Sequence, residues 1–316
     1  MNVHDAVFIV NTQMPDLISS IRLMAIIPGR YLGMRVLYFG ANMDPTTFLD
    51  RHQPKLIVLT KTLNTTLIAL AQMARARNIK VVTILCDYHF EGQKGQINQQ
   101  LCDLSDEVVV QTVPMSDAVK KIFGRDCRII EEVIEYPRVL PALTAKDEWS
   151  ILWFGHSSNY DTLAHGLNVL FKENSRKIKL DILSNHPPDF IQPNVIPKNF
   201  SITFDFWSLD RQLHAMRDAD ILFIPSIDMP EKNVKGHNRL VEAINAGKAT
   251  IVHPLPQYKE LQEYCYCNAD YVGALNELIA NPQHALEKLK KGQAYLDQRF
   301  SLEAIAKKWH ALFNCY

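Results

Sequence analysis

Short, almost unbroken apolar runs recur along this chain, each followed by a stretch with helical periodicity. In the first half these runs are AVFIV (6–10), RVLYFG (35–40), KLIVLT (55–60), KVVTILC (80–86) and EVVVQ (107–111), and a sixth begins at Cys127–Ile130. A strand that is apolar throughout is buried on both faces. Its alternation with helices predicts βαβ units around a parallel sheet covered on both sides. The segment 137–146 carries two prolines and few apolar pairs, and reads as a linker. The pattern then restarts with SILWF (150–154), IKLDIL (178–183), 200–204, DILFIP (220–225) and ATIVH (249–253). The expected architecture is α/β, with one doubly wound domain over 1–140 and a second over 147–298. A last helix within 299–316 bears Leu302, Ile305, Trp309, Leu312 and Phe313 on one stripe, and so must dock on something.

Ligands of doubly wound sheets bind beyond the carboxyl ends of the strands. With two such units, the expected site is a cleft between them. The segment Lys235–Gly247, KGHNRLVEAINAG, lies between the DILFIP and ATIVH runs. Read as one helix, it places Lys235, Asn238, Arg239 and Glu242 on one face at i, i+3, i+4 and i+7. Cations, amide groups and a helix N-terminus suit a phosphate; a carboxylate one turn later suits a ribose diol. A solvated face with Asn238–Glu242 pairing is the alternative. The loop after the SILWF strand is Gly155-His156-Ser157-Ser158-Asn159, where glycine permits close backbone approach to a phosphate. Ser184 ends the IKLDIL strand and joins the same group of candidate donor contacts. Asp87 and His89 follow the fourth strand of the first half and are candidate proton acceptors; a helix cap and a packing role are the alternatives. The polar stretch 91–100 reads as a candidate acceptor loop.

Composition narrows the function classes. Basic and acidic residues balance at 34 each, so no global excess exists to neutralise nucleic-acid phosphates. The six cysteines form no CxxC pair, and the histidines show no HExxH, which argues against a zinc site. Asp218 and Asp220 form a DxD, but at the amino edge of a strand, away from the expected site, and no metal is expected. Neither a GxSxG elbow nor a GxxxxGK[ST] loop is present. The start, MNVHDAVFIVNTQ, reads as a first core strand and not as a leader, and no run approaches the ~20 apolar residues of a membrane span. A cytoplasmic location follows as the default. Arg22, Arg30 and Arg35 are read as a basic patch for peripheral membrane contact or as ordinary solvated charge.

The segment KGHNRLVEAINAGKATIVHPLPQYKEL (235–261) resembles the donor-binding segment of GT-B glycosyltransferases, in particular the GT4-like group. ILWFGHSSNYDTL is similar to the first strand and loop of the same nucleotide-binding domain, and ILCDYHF and DEVVVQT to the acceptor domain. The resemblance implies two Rossmann-like domains facing across a cleft, with the final helix crossing back to the first. It implies transfer of a hexose from a nucleoside diphosphate sugar, such as a UDP- or GDP-sugar, to a hydroxyl of a glycan, lipid-linked or protein acceptor. No cofactor or metal would take part. Lys235 would meet the diphosphate and Glu242 the ribose, with Asn238 and Arg239 matching the motif. Asp87 or His89 would serve as base in an inverting enzyme. Two positions depart from the family pattern: Val234 stands where an acidic residue is common, and His156 where an Arg is. A nucleotide-sugar epimerase and a non-catalytic binding protein of the same architecture are the rival readings.

Overall fold

The computed structural model describes residues 5–61 and 64–316. The strand reading of the N-terminus begins on residues 1–4, which lie outside the described residues. The chain divides into two compact units. Unit 1 takes the residues up to Glu135 together with Asn233–His237 and Asp297–Tyr316. Unit 2 takes Tyr136–Lys232 and Asn238–Leu296.

Unit 1 is built on a six-stranded sheet. Its strands are β1 (Ala6–Val10), β2 (Arg35–Tyr38), β3 (Leu56–Thr60), β4 (Lys80–Leu85), β5 (Glu107–Val110) and β6 (Arg128–Ile129). They run in the order β2-β1-β3-β4-β5-β6, and every pairing is parallel. The strands of the centre are apolar on both faces because helices cover both. On one face Phe8, Leu56 and Val82 pack with Trp309 and Phe313 of the last helix, Leu302–Phe313. The Phe8 and Trp309 rings meet edge to face at 5.1 Å. On the other face Val7, Ile57 and Val81 pack with Leu67, Leu70 and Leu101.

Unit 2 holds a second six-stranded parallel sheet. Its strands are β7 (Glu148–Phe154), β8 (Lys177–Ser184), β9 (Phe200–Phe206), β10 (Ile221–Ile224), β11 (Ala249–Val252) and β12 (Tyr266–Cys267). The order β12-β11-β10-β7-β8-β9 reverses direction between β7 and β10. That reversal is the switch point at which such sheets open a crevice for a ligand. In unit 1 the corresponding reversal falls between β1 and β3.

Three local expectations change. The polar stretch 91–100 is not a loop but part of a helix, Gly92–Leu104. Ile97 and Leu101, one turn apart, are buried against the sheet and outweigh the poor helix propensity of Gly92 and Gly95. Ser19–Ile27 reads from the sequence as a helix that ends near Pro28-Gly29; in the structure it continues through a π-helical turn, Arg22–Ile26, into Ile27–Tyr31. A proline ring crowds the carbonyl four residues back, and the wider turn just upstream gives it room. Finally, Arg22 belongs to no surface patch. It is 6% exposed, its guanidinium bonds both oxygens of Glu135, and its Nη1 donates to the Asp16 carbonyl at 2.5 Å. Among the described residues no helix is long and apolar enough to cross a membrane.

Candidate active site

At the carboxyl ends of the unit 1 strands, charged side chains gather. Lys61 follows β3, Asp87 and His89 follow β4, and Glu132 follows β6. Asp87 Oδ2 lies 3.5 Å from Lys61 Nζ. Lys61 has φ +49°, in the left-handed region that a residue with a Cβ enters at a cost. Its carbonyl accepts from Asn11 Nδ2, at the end of β1, at 3.2 Å, which ties it to the switch point of this sheet. The His89 N–H donates to the Asp87 carbonyl at 2.9 Å, and Asn98 Nδ2 donates to the His89 carbonyl at 2.8 Å. Lys61, Asp87, His89 and Asn98 line a small pocket with Cys86, Ile84 and Leu85.

Burial lowers the His89 pKa below the ordinary imidazole value; Asp87 opposes this, and Lys94, Lys61 and Lys235 add to it. The ring is therefore neutral at neutral pH and able to take up a proton. Glu132 moves the other way. Desolvation, helped by the charge of Asp87, pushes its carboxyl up to about 7 against the pull of Lys235, Lys61 and Arg22. Its neighbour Glu131 is structural: it is 3% exposed and pairs with Arg299 Nε at 2.8 Å and with Lys308.

Lys235 reaches this cluster from a distant part of the sequence. The helix expected from Lys235 begins only at Asn238 and ends at Asn245. Residues 234–237 form a loop built into unit 1. Val234 is 5% exposed among Leu85, Val108 and Val110, and its carbonyl accepts from Thr112 Oγ1 at 3.2 Å. The apolar residue at the place where the family often has an acid is thus a core anchor. His237 is 1% exposed, with its ring edge on Phe300. These anchors, and the low helix propensity of Gly236, keep Lys235 off the helix. The four-residue polar stripe does not form: Lys235 precedes the helix, Asn238 and Arg239 are half-buried, and Glu242 is 1% exposed.

Unit 2 brings a second group together at its own switch point. Gly155 follows β7, and a Cβ on it would lie 3.1 Å from the Trp153 ring and 3.5 Å from Arg239 Nη1. Glycine there leaves room for the Trp153 ring, and the guanidinium lies at ordinary contact distance from the same point. That Nη1 is buried and has no hydrogen-bond partner among the described residues. Lys232, 9% exposed, donates from Nζ to Asn159 Oδ1 at 3.0 Å, and its carbonyl accepts from Gln257 Nε2. The exposed His156 accepts from the Ser158 N–H through Nδ1, and the Ser157 N–H donates to Asn185 Oδ1 at 2.8 Å. Ser184 is fully buried, its hydroxyl against Asn185 and Tyr160, so it shapes the loop from below. The Asp218/Asp220 pair stays at the amino edge, where Asp220 accepts from the Ser150 N–H at 3.0 Å and pairs with Lys146 at 2.6 Å. Among the described residues no cluster of three His, Cys, Asp or Glu side chains could hold a metal.

Lys61, Glu132 and Lys232 were not singled out from the sequence. Most of their neighbours in the chain are polar, as on any surface, and their surroundings are set by remote residues. The one available signal was position: Lys61 and Glu132 lie just beyond strands, and Lys232 lies on the short helix Pro230–Asn233 that follows another.

Two six-stranded parallel sheets with this connectivity define the GT-B glycosyltransferase fold. No family model matches the chain, and no curated protein matches it in sequence. Solved structures do share its fold. The crystal structure of TarM, from S. aureus, aligns over 85% of this chain with TM-score 0.65 and 14% identity, and this chain spans 57% of TarM. An alpha-glucosyltransferase in complex with UDP and a 13-mer DNA containing a HMU base aligns over 98% of both chains, with TM-score 0.64 and 8% identity. The apo form of the lipopolysaccharide outer core galactosyltransferase WaaB aligns over 98% of this chain and 99% of its own, with TM-score 0.61 and 13% identity.

Proposed function

We propose that this protein transfers a sugar from a nucleoside diphosphate donor to an acceptor hydroxyl. The observation that carries this reading is Arg239 Nη1, buried beside Gly155 at the switch point of unit 2 and lacking an acceptor among the described residues. A buried guanidinium N–H left without an acceptor is costly, and a diphosphate oxygen is the acceptor that its place in this fold suits. Lys232, already fixed by Asn159, adds a second cation to the same loop. Lys235 is assigned to the charge that grows on the diphosphate as it leaves, a stabilisation that requires no metal. Glu242 is assigned to the ribose hydroxyls on the strength of the motif. In unit 1, neutral His89 takes the proton of the acceptor hydroxyl, and Asp87 favours the imidazolium that forms.

UDP is the nucleotide bound to one structural neighbour, and UDP- and GDP-sugars are the donors to try first. That same neighbour is bound to DNA, so the fold alone excludes no acceptor class. The balanced charge of this chain favours a glycan, lipid-linked or protein hydroxyl. A second reading, nucleotide binding without turnover, draws on Val234: the packed apolar pocket around it leaves no room for the acid common there.

The test is a transfer and donor-hydrolysis assay over a panel of nucleotide sugars, with and without a chelator. Arg239→Ala, Lys235→Ala and Glu242→Gln are compared with the parent. Turnover that survives the chelator and falls in the variants supports the reading. Nucleotide affinity without turnover on any donor selects the second reading. Full activity and affinity in all three variants refutes both.

A further inference from the structure

Glu132 is a half-buried carboxylate that the proposed reaction does not use, and it meets the chain at an unusual place. A Cβ built on Gly236 would lie 2.3 Å from Glu132 Oε2 and 3.2 Å from its carboxyl carbon. The carboxyl group therefore lies over the Gly236 backbone, in the space that a side chain at this position would take. Asp87, Lys235, Lys61 and Arg22 are the charged groups whose fields reach it. The rest of the loop is fixed on either side, by the Thr112–Val234 bond before Lys235 and by the buried His237 after it. Lys235 thus sits between two anchors, with the Glu132–Gly236 contact beside it as the third support.

From this geometry we infer that Glu132 is a positioning residue for Lys235. Its carboxyl group holds the Lys235-Gly236 turn through the Gly236 backbone and opposes the ammonium charge, so that Lys235 stands ready for an anionic ligand. The inference rests on the assignment of Lys235 to the donor diphosphate. A flexible lysine in water would lose most of its freedom on binding an anion; one already held by its loop loses less, which raises affinity.

The test is a double-mutant cycle on the full chain, read by calorimetric titration with UDP and with GDP, with thermal midpoints recorded alongside. Glu132→Ala and Gly236→Ala are each made in the parent and in the Lys235→Ala chain. In the parent, each lowers affinity roughly tenfold, and the two together cost no more than one alone. In the Lys235→Ala chain neither lowers it further, because the group being positioned is gone. A merely structural contact would cost the same with or without Lys235, and that result overturns the inference while leaving the donor reading intact. If Lys235→Ala itself leaves both affinities unchanged, the assignment of Lys235 fails and this inference fails with it. Should Glu132→Ala not fold, Glu132→Gln carries the same cycle; an equal loss in both backgrounds again overturns it.

Discussion

Asp87 and Lys61 pair at 3.5 Å across the carboxyl ends of β4 and β3, each side chain about 30% exposed. The pair is open enough to be reached and close enough to hold the Asp87 charge beside His89. An exposed pair of this kind contributes little to stability, about 0–1 kcal/mol. Lys61→Ala is therefore expected to leave the melting temperature nearly unchanged while altering the pH dependence of turnover, since it removes a cation that lowers the His89 pKa. A pH–rate profile of the variant against the parent checks this.

His89 itself gives a pH prediction. Its pKa is lowered, chiefly by burial, so the ring stays neutral below the pH at which an ordinary histidine protonates. As a base it is lost only when protonated. Turnover should hold from neutral pH down past about 6.5, the usual histidine value, and fall only at a lower pH. His89→Gln should lower turnover about 10²-fold or more and remove that acid limb. A full acid limb in the variant would sink the assignment.

Glu132 predicts an opposite effect on stability. Its carboxyl is raised from 4.5 to about 7 in the folded chain. Below about 4.5 both states hold the proton and the group costs nothing. Between about 4.5 and 7 the folded state keeps a proton that the unfolded state releases, so stability falls as pH rises. Above about 7 the loss is complete, on the order of 3 kcal/mol. Glu132→Gln should raise the thermal midpoint at pH 8 by several degrees and leave it unchanged near pH 4.5. Equal midpoints at pH 8 would show that the carboxylate is not desolvated.

Trp309 tests the docking of the last helix. It is fully buried and meets Phe8 edge to face. Trp309→Ala should cost about 3–5 kcal/mol, measured by denaturant unfolding, by the cavity it leaves. Tyr31→Ala, at a residue 55% exposed in the same unit, should cost under about 0.5 kcal/mol and serves as the control.

The strands were legible because each is a local apolar run, and a residue such as Val58 is buried whatever lies far away in sequence. Their pairing into two parallel sheets followed from the helices between them. The Lys235 loop was not legible. Its helical spacing was real, but Thr112 and Glu132 hold it from more than a hundred residues away, and spacing along the chain carries no record of them. Arg22 shows the same limit in reverse: an arginine near an expected helix looks solvated until Glu135 is found beside it. Arg239 was read as part of an exposed stripe, and it is the buried Nη1 beside Gly155 that gives it a sharper role.

Phe8 and Trp309 have the whole of unit 2 between them in sequence, yet they share one core. Closing so long a loop costs entropy that grows slowly with length, but the contact cannot form until the last helix has been made. During synthesis, at roughly 5–20 residues per second, the sheet of unit 1 would wait with Phe8, Leu56 and Val82 uncovered until the helix Leu302–Phe313 emerges. Unit 1 is thus closed only after unit 2 has been made, and a truncation that removes Leu302–Phe313 should damage the sheet that was synthesised before unit 2.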